Sequence, residues 1–210
     1  MNGAALLLLA LGMAAALANW IAVGRGAKAL EYVAKPLTLA LFIGAALALD
    51  PADDTVRAWF VLALVLCLVG DIVLMLPRDL FVFGLAAFLL GHLAYVVGLQ
   101  LDGQSGRWFV AGLAVVLVGV VVVGVRVVRA VRADGPAMVG PVTAYMAVIS
   151  LMVACAFGTG DGFAIAGALL FYGSDALIAW NRFVRPAAWA GVVIMVTYHL
   201  GQLGLVLSLS

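Results

Sequence analysis

"LVGDIVLMLPRD", residues 68–79, sets Asp71 inside a run of aliphatic side chains, and "FYGSDALIAWNR", residues 171–182, does the same with Asp175. A carboxylate is among the costliest groups to place in hydrocarbon. Around these two stretches the chain is apolar almost throughout: 67% of its 210 residues are hydrophobic, with 11 basic and 10 acidic side chains. A soluble domain is about half apolar and a quarter charged. The composition therefore reads as an all-α polytopic membrane protein in a lipid bilayer. A net charge of +1 points to no nucleic-acid partner. Cys67 and Cys155 both lie in apolar runs and read as small buried hydrophobes rather than a disulfide framework.

A spanning helix needs ~20 mostly apolar residues. Breaking the chain at clusters of Gly, Pro and charge predicts eight such segments, near 3–23, 34–49, 56–76, 80–100, 107–127, 137–157, 162–181 and 187–208. The second is short for a span. The first resembles a signal peptide with "ALA" at 16–18, but no basic residue precedes it, and Arg25 and Lys28 follow it. That polarity suits a first helix whose N-terminus faces outward. With eight spans, nine basic residues (Arg25, Lys28, Lys35, Arg78, Arg126, Arg129, Arg132, Arg182 and Arg185) fall on one side, and Arg57 and Arg107 on the other. The positive-inside rule makes the basic side cytoplasmic and leaves both termini outside. The expectation is an integral, multi-pass protein of the cytoplasmic membrane.

The two aspartate stretches belong to a wider internal likeness. "KPLTLAL" (35–41) resembles "GPVTAYM" (140–146), "GDIVLMLPR" (70–78) resembles "SDALIAWNR" (174–182), and "GHLAY" (91–95) stands opposite "YHLGQ" (198–202). The offsets are nearly constant. A four-helix repeat would relate halves 1–104 and 105–210 of a single transmembrane domain. Its axis would be a pseudo-two-fold along the membrane normal, with helices two to four facing six to eight across a central cavity.

Asp71 and Asp175 each precede the predicted end of their helix by six residues, roughly 9 Å at the helical rise. Two close carboxylates in an apolar site do not both ionise readily, so the pair would offer an acid and a base without metal or cofactor. Two histidines and two aspartates at mismatched depths make a poor metal-ligand set. On straight helices His92 and His199 lie about 10 Å beyond the carboxylates, so contact needs tilt, water or an unwound turn. Tyr95 shares a face with His92, and Gln202 with His199. Tyr172 and Ser174 flank Asp175 as candidate substrate contacts. Arg78 and Arg182 follow their aspartates by seven residues, on roughly the same face, and Lys35 opens the second helix on that side. All three would reach the headgroup layer and could hold a phosphate. The alternative for the arginines is ordinary interfacial anchoring. No nucleophile elbow is present, and "GTGDG" (158–162) reads as a turn.

Taken in order, Lys35-Pro36, Gly70-Asp71 with Leu74, His92 with Tyr95, Ser174-Asp175 with Asn181 and Phe183, and Tyr198 with Gln202 resemble the YhhN-like lysoplasmalogenase family of eight-helix membrane proteins. The resemblance runs from about residue 30 to the C-terminus. Where the family often has a second tyrosine after the one matching Tyr198, this chain has His199, which therefore ranks below His92. The resemblance implies a lysophospholipid substrate, cleaved at its vinyl ether bond to a fatty aldehyde and a glycerophospho-base. It implies Asp71, Asp175 and His92 as catalytic residues. A proton-coupled small-molecule or lysolipid transporter is the competing reading, and a structural or lipid-sensing protein a third. Pro36 and Pro141 near helix starts, rather than at midplane, favour the enzyme. No motif specifies head group, chain length or oligomeric state.

Overall fold

The computed structural model describes residues 1–210, which form eight helices long and apolar enough to cross a membrane and no strand. They are α1 (Gly3–Arg25), α2 (Lys28–Ala48), α3 (Asp54–Met75), α4 (Phe81–Leu101), α5 (Gly106–Asp134), α6 (Pro136–Thr159), α7 (Gly162–Val184) and α8 (Ala190–Leu207). The protein is a multi-pass membrane protein. Backbone groups in hydrocarbon must be satisfied within each segment, which a continuous helix achieves.

Helix ends on the basic side depart from expectation at α2, α5 and α7 in ways that bear on the site. α2 starts at Lys28, because Lys28 and Glu31 form a 2.8 Å ion pair across its first turn and Glu31 lies at the positive end of the helix dipole. Lys35 is thus two turns inside α2 instead of opening it, and Pro36 also lies within the helix. α5 runs on to Asp134 as an amphipathic end: Val127 and Val131 are buried beside Val142, while Arg126, Arg129 and Arg132 stay exposed. α7 continues past Ala179 through a π-helical turn, Trp180–Val184, and α5 contains a second one at Val120–Gly124.

Sequential helices pair as antiparallel hairpins except α4 and α5; α4 packs instead against α6, and α1 against α8. The first hairpin turns at Gly26, whose φ of 67° lets the next amide, that of Ala27, reach back to the Ala22 carbonyl at 2.8 Å. The last is the tightest: a Cβ at Gly167 would lie 2.7 Å from the Leu205 backbone nitrogen, so α7 and α8 touch backbone to backbone. "GTGDG" is the expected turn, with Asp161 capping α7 by accepting from the Ala164 amide at 2.7 Å. Both cysteines are free and buried.

Candidate active site

Asp71 occupies the last turn of α3 and is 1% exposed. Lys35 Nζ on α2 lies 3.0 Å from its Oδ1, and the Tyr198 hydroxyl on α8 donates to Oδ2 at 2.8 Å. Lys35 is therefore not a headgroup anchor. It is a buried cation matched to a buried anion, and the pair enters hydrocarbon with no net charge.

Asp175, on α7, has a different set of partners. The Tyr145 hydroxyl on α6 donates to Oδ2 at 2.5 Å, and His92 Nε2 on α4 lies 3.7 Å from the same oxygen. Straight helices ending where the sequence suggests would hold the histidines too far from the carboxylates for contact. The π turn removes most of that gap. With α7 ending at Val184, Asp175 is nine residues, roughly 13 Å, inside it. His92 is eleven residues, roughly 16 Å, inside α4 from the same side.

The tautomer of His92 follows from its other nitrogen. Nδ1 lies 2.7 Å from the Phe88 carbonyl, which can only accept, so Nδ1 carries the proton. A neutral His92 then turns a lone pair toward a carboxylate oxygen. Two acceptors thus face each other in a buried site, and at 3.7 Å no direct hydrogen bond joins them.

Aromatic rings link the partners of Asp71 to those of Asp175. Phe88, Phe171 and Tyr198 meet edge to face with centroids 5.1–6.4 Å apart, and His92 lies 4.6 Å from Phe171. Gly70 makes room for this cluster, since a Cβ there would fall 2.6 Å from the Phe88 ring. Each aspartate receives a group from the opposite half of the chain: Asp71 from Tyr198 on α8, Asp175 from His92 on α4.

Asp175 opens onto a narrow apolar cavity of about 70 Å³ between α4, α5, α6 and α7. Leu85, Phe88, Met146, Ile149 and Tyr172 are among the walls, and Asp175 is the sole charged residue in the lining. Both π turns contribute residues to it, through Val123, Gly124 and Phe183. Such turns recur at functional sites because they shift side chains out of helical register. At the mouth, the Arg182 guanidinium sits 3.9 Å from the Phe81 ring centroid and pairs with Asp79 at 3.0 Å, tying α7 to the α3–α4 turn.

Other candidates lie elsewhere. Arg78 is exposed in that turn, beyond the end of α3, so the shared-face argument fails for it. Ser174 is a helix tie, its hydroxyl donating to the Ile194 carbonyl at 3.1 Å. Asn181 caps the α7–α8 turn by accepting from the Ala187 amide at 2.7 Å. Tyr95 donates to Gln202 Oε1 at 2.6 Å, a buried bond from α4 to α8. His199 faces Trp20 of α1. Sequence reasoning missed Tyr145 and Asp79. Tyr145 stands inside "GPVTAYM" where the first copy has Ala40, and that gain of a hydroxyl was the available signal.

Fold and site together define a polytopic membrane protein with a buried aspartate beside a histidine at the wall of an apolar cavity. The chain belongs to the YhhN family, whose model matches residues 30–209. It is 37% identical over 146 residues to lysoplasmalogenase TMEM86B of Homo sapiens, covering 70% of this chain and 61% of that protein. It is 34% identical over 151 residues to lysoplasmalogenase TMEM86B of Sus scrofa (70% and 62%). It is 33% identical over 173 residues to the lysoplasmalogenase of Mycobacterium tuberculosis (79% and 65%). The chain thus spans less than two thirds of the length of these curated relatives. No solved structure matches it.

Proposed function

We propose that this protein is a lysoplasmalogenase-type hydrolase that cleaves the vinyl ether bond of alkenyl lysophospholipids to a fatty aldehyde and a glycerophospho-base. The observation that carries the reading is Asp175, the one charged residue in a greasy cavity, opposed by the unprotonated nitrogen of His92. The names of the curated relatives agree with it.

In this reading the alkenyl chain lies in the cavity with its double bond at Asp175. The acid proton shared by Asp175 and His92 passes to the alkene carbon remote from the ether oxygen, leaving an oxocarbenium cation at the carbon bonded to that oxygen. The Asp175 carboxylate stabilises the cation, and Tyr145 holds its geometry. Water adds to the cationic carbon and returns a proton to the Asp175–His92 pair. The hemiacetal then collapses: its hydroxyl proton is released, its C–O bond to glycerol breaks, and the departing alkoxide takes up a proton. The two-carboxylate glycosidases manage an oxocarbenium ion by related logic, with one acid and one counter-charge. General acid–base help of this kind is typically worth about 10²–10⁴-fold.

Asp71 serves here as the partner of Lys35 and the anchor of Tyr198, not as the acid. Arg182 at the mouth holds the phosphate, and Tyr172 lines the chain. The lopsided basic residues support a cytoplasmic basic side with both termini outside. The reciprocal contacts of the two aspartates support a 4+4 pseudo-two-fold.

The test is purified protein in nanodiscs given alkenyl, alkyl and acyl lysolipids of one head group. Aldehyde from the alkenyl lipid alone is the expected result. Fatty acid from the acyl lipid would overturn it, and so would proton-driven uptake into liposomes with no product, the transporter's signature.

A further inference from the structure

A second polar compartment lies behind Asp71, where α1 meets α2 and α8. Trp20 Nε1 donates to His199 Nδ1 at 3.0 Å, with the rings stacked at 6.3 Å. An indole only donates, so Nδ1 is an acceptor and the neutral imidazole carries its proton on Nε2. That N–H is fully buried and has no partner among protein atoms. Asn19, next to Trp20 on α1, is fully buried as well, and neither its amide nitrogen nor its amide oxygen is matched.

The register of α1 against α2 sets the level of Asn19 along the pair. Gly12 lies against Phe42 and Leu41, and Gly44 against Leu8. Carried along the antiparallel pair, these contacts bring residue 19 level with residues 33–35, the turn that holds Lys35. Lys35 Nζ has three N–H groups and one protein partner, Asp71. Three donors (Lys35, His199 Nε2 and Asn19 Nδ2) and one acceptor (Asn19 Oδ1) are thus left over in one buried region. Leaving buried polar groups unmatched is costly, and natural proteins rarely do it.

We propose that Asn19, His199 and Lys35 enclose a site for ordered water. A water molecule accepts two hydrogen bonds and donates two, so it can take N–H groups of this set and return a bond to Asn19 Oδ1. Buried waters typically make about three such bonds to groups otherwise unsatisfied. The site hydrates the Lys35 side chain inside the bilayer, beside its contact with Asp71. It also gives α1 a task of its own, since α1 lies outside the 30–209 family match. None of this depends on which bond the protein cleaves.

Two measurements test it. A crystal structure from lipidic mesophase, at a resolution that shows solvent, is expected to place a water within hydrogen-bond distance of His199 Nε2 and Asn19. An Asn19 amide bonded directly to His199 or Lys35, with no solvent between, overturns the site. The second measurement reads a sign. Asn19→Leu is nearly isosteric and removes the amide. If Asn19 holds water, the change strands its neighbours and Tm falls, by about 2–4 °C for each kcal/mol lost in a chain of this size. If Asn19 sits dry and unmatched, the same change removes a penalty. An unchanged or raised Tm therefore overturns the proposal.

Discussion

Asp175→Asn isolates the proton from the shape that carries it. The amide is isosteric with the carboxyl. The Tyr145 hydroxyl, now 2.5 Å from Oδ2, can still donate to the amide oxygen. His92 Nε2 lies 3.7 Å from that same oxygen position, beyond hydrogen-bond distance, so the amide breaks no direct bond there. Local bonding survives while the transferable proton is lost. Turnover is expected to slow by about 10²–10⁴-fold, which is about 2.7–5.4 kcal/mol of transition-state stabilisation at 1.36 kcal/mol per tenfold. Tm should stay close to wild type, because no buried group is stranded. The assay is aldehyde release from an alkenyl lysolipid in nanodiscs, run beside thermal unfolding of the same preparation. A variant that keeps more than about a tenth of the wild-type turnover rate would refute Asp175 as the acid. A loss of activity matched by a large loss of Tm would refute the separation of chemistry from structure.

The opposite balance is expected at Asp71→Asn, which leaves the Lys35 ammonium buried without its anion and destabilises by about 3–5 kcal/mol; the double variant with Lys35→Met should recover most of the lost Tm. Gly70→Ala forces a methyl to within 2.6 Å of the Phe88 ring as it now stands, so overpacking of about 1–3 kcal/mol should lower Tm and raise KM together, while Gly173→Ala, where a Cβ meets nothing within 4 Å, serves as the silent control. At the mouth, the Arg182 hydrogen bond and charge hold the exposed Asp79 carboxyl below its ordinary value of 3.8. A lowered pKa contributes stability above the ordinary value and loses it as pH falls through the lowered one. KM of Asp79→Asn relative to wild type should accordingly be constant from about pH 8 to about pH 5 and converge only in stronger acid. Added salt, by contrast, should erode that difference by screening the pair.

Eight spans were legible because bilayer thickness imposes a length that hydropathy alone reveals, and the lopsided arginines fixed their count. Helix ends were less so. α5 outlasts its apolar stretch because Val127 and Val131 alternate with exposed arginines at helical spacing, a pattern that continues a helix without continuing a span. The two aspartates and His92 stood out as polar residues in greasy runs, but their partners did not. Lys35 read as an interfacial cation because the start of α2 is polar, and only the fold shows that it turns inward to Asp71. Asp175 reads as too shallow in the sequence, since a π turn leaves no mark in composition and the apolar run of α7 stops at Asn181. Equal depth shows in the sequence, but the separate partners of the two aspartates, Lys35 and Tyr198 for Asp71 and Tyr145 and His92 for Asp175, do not.

The ion pair between α2 and α3 also bears on how the chain enters the bilayer during synthesis. A lone lysine or aspartate at the centre of a span costs about 2.5–3.5 kcal/mol on insertion scales. α2 is the least apolar of the eight spans and carries Lys35, while Asp71 arrives only with the end of α3. Released singly into lipid, α2 would bring its ammonium in unmatched. Held at the translocon until α3 emerges, the two can leave sideways as a neutral hairpin, which makes the lysine–aspartate bond an assembly signal before it is part of any finished site.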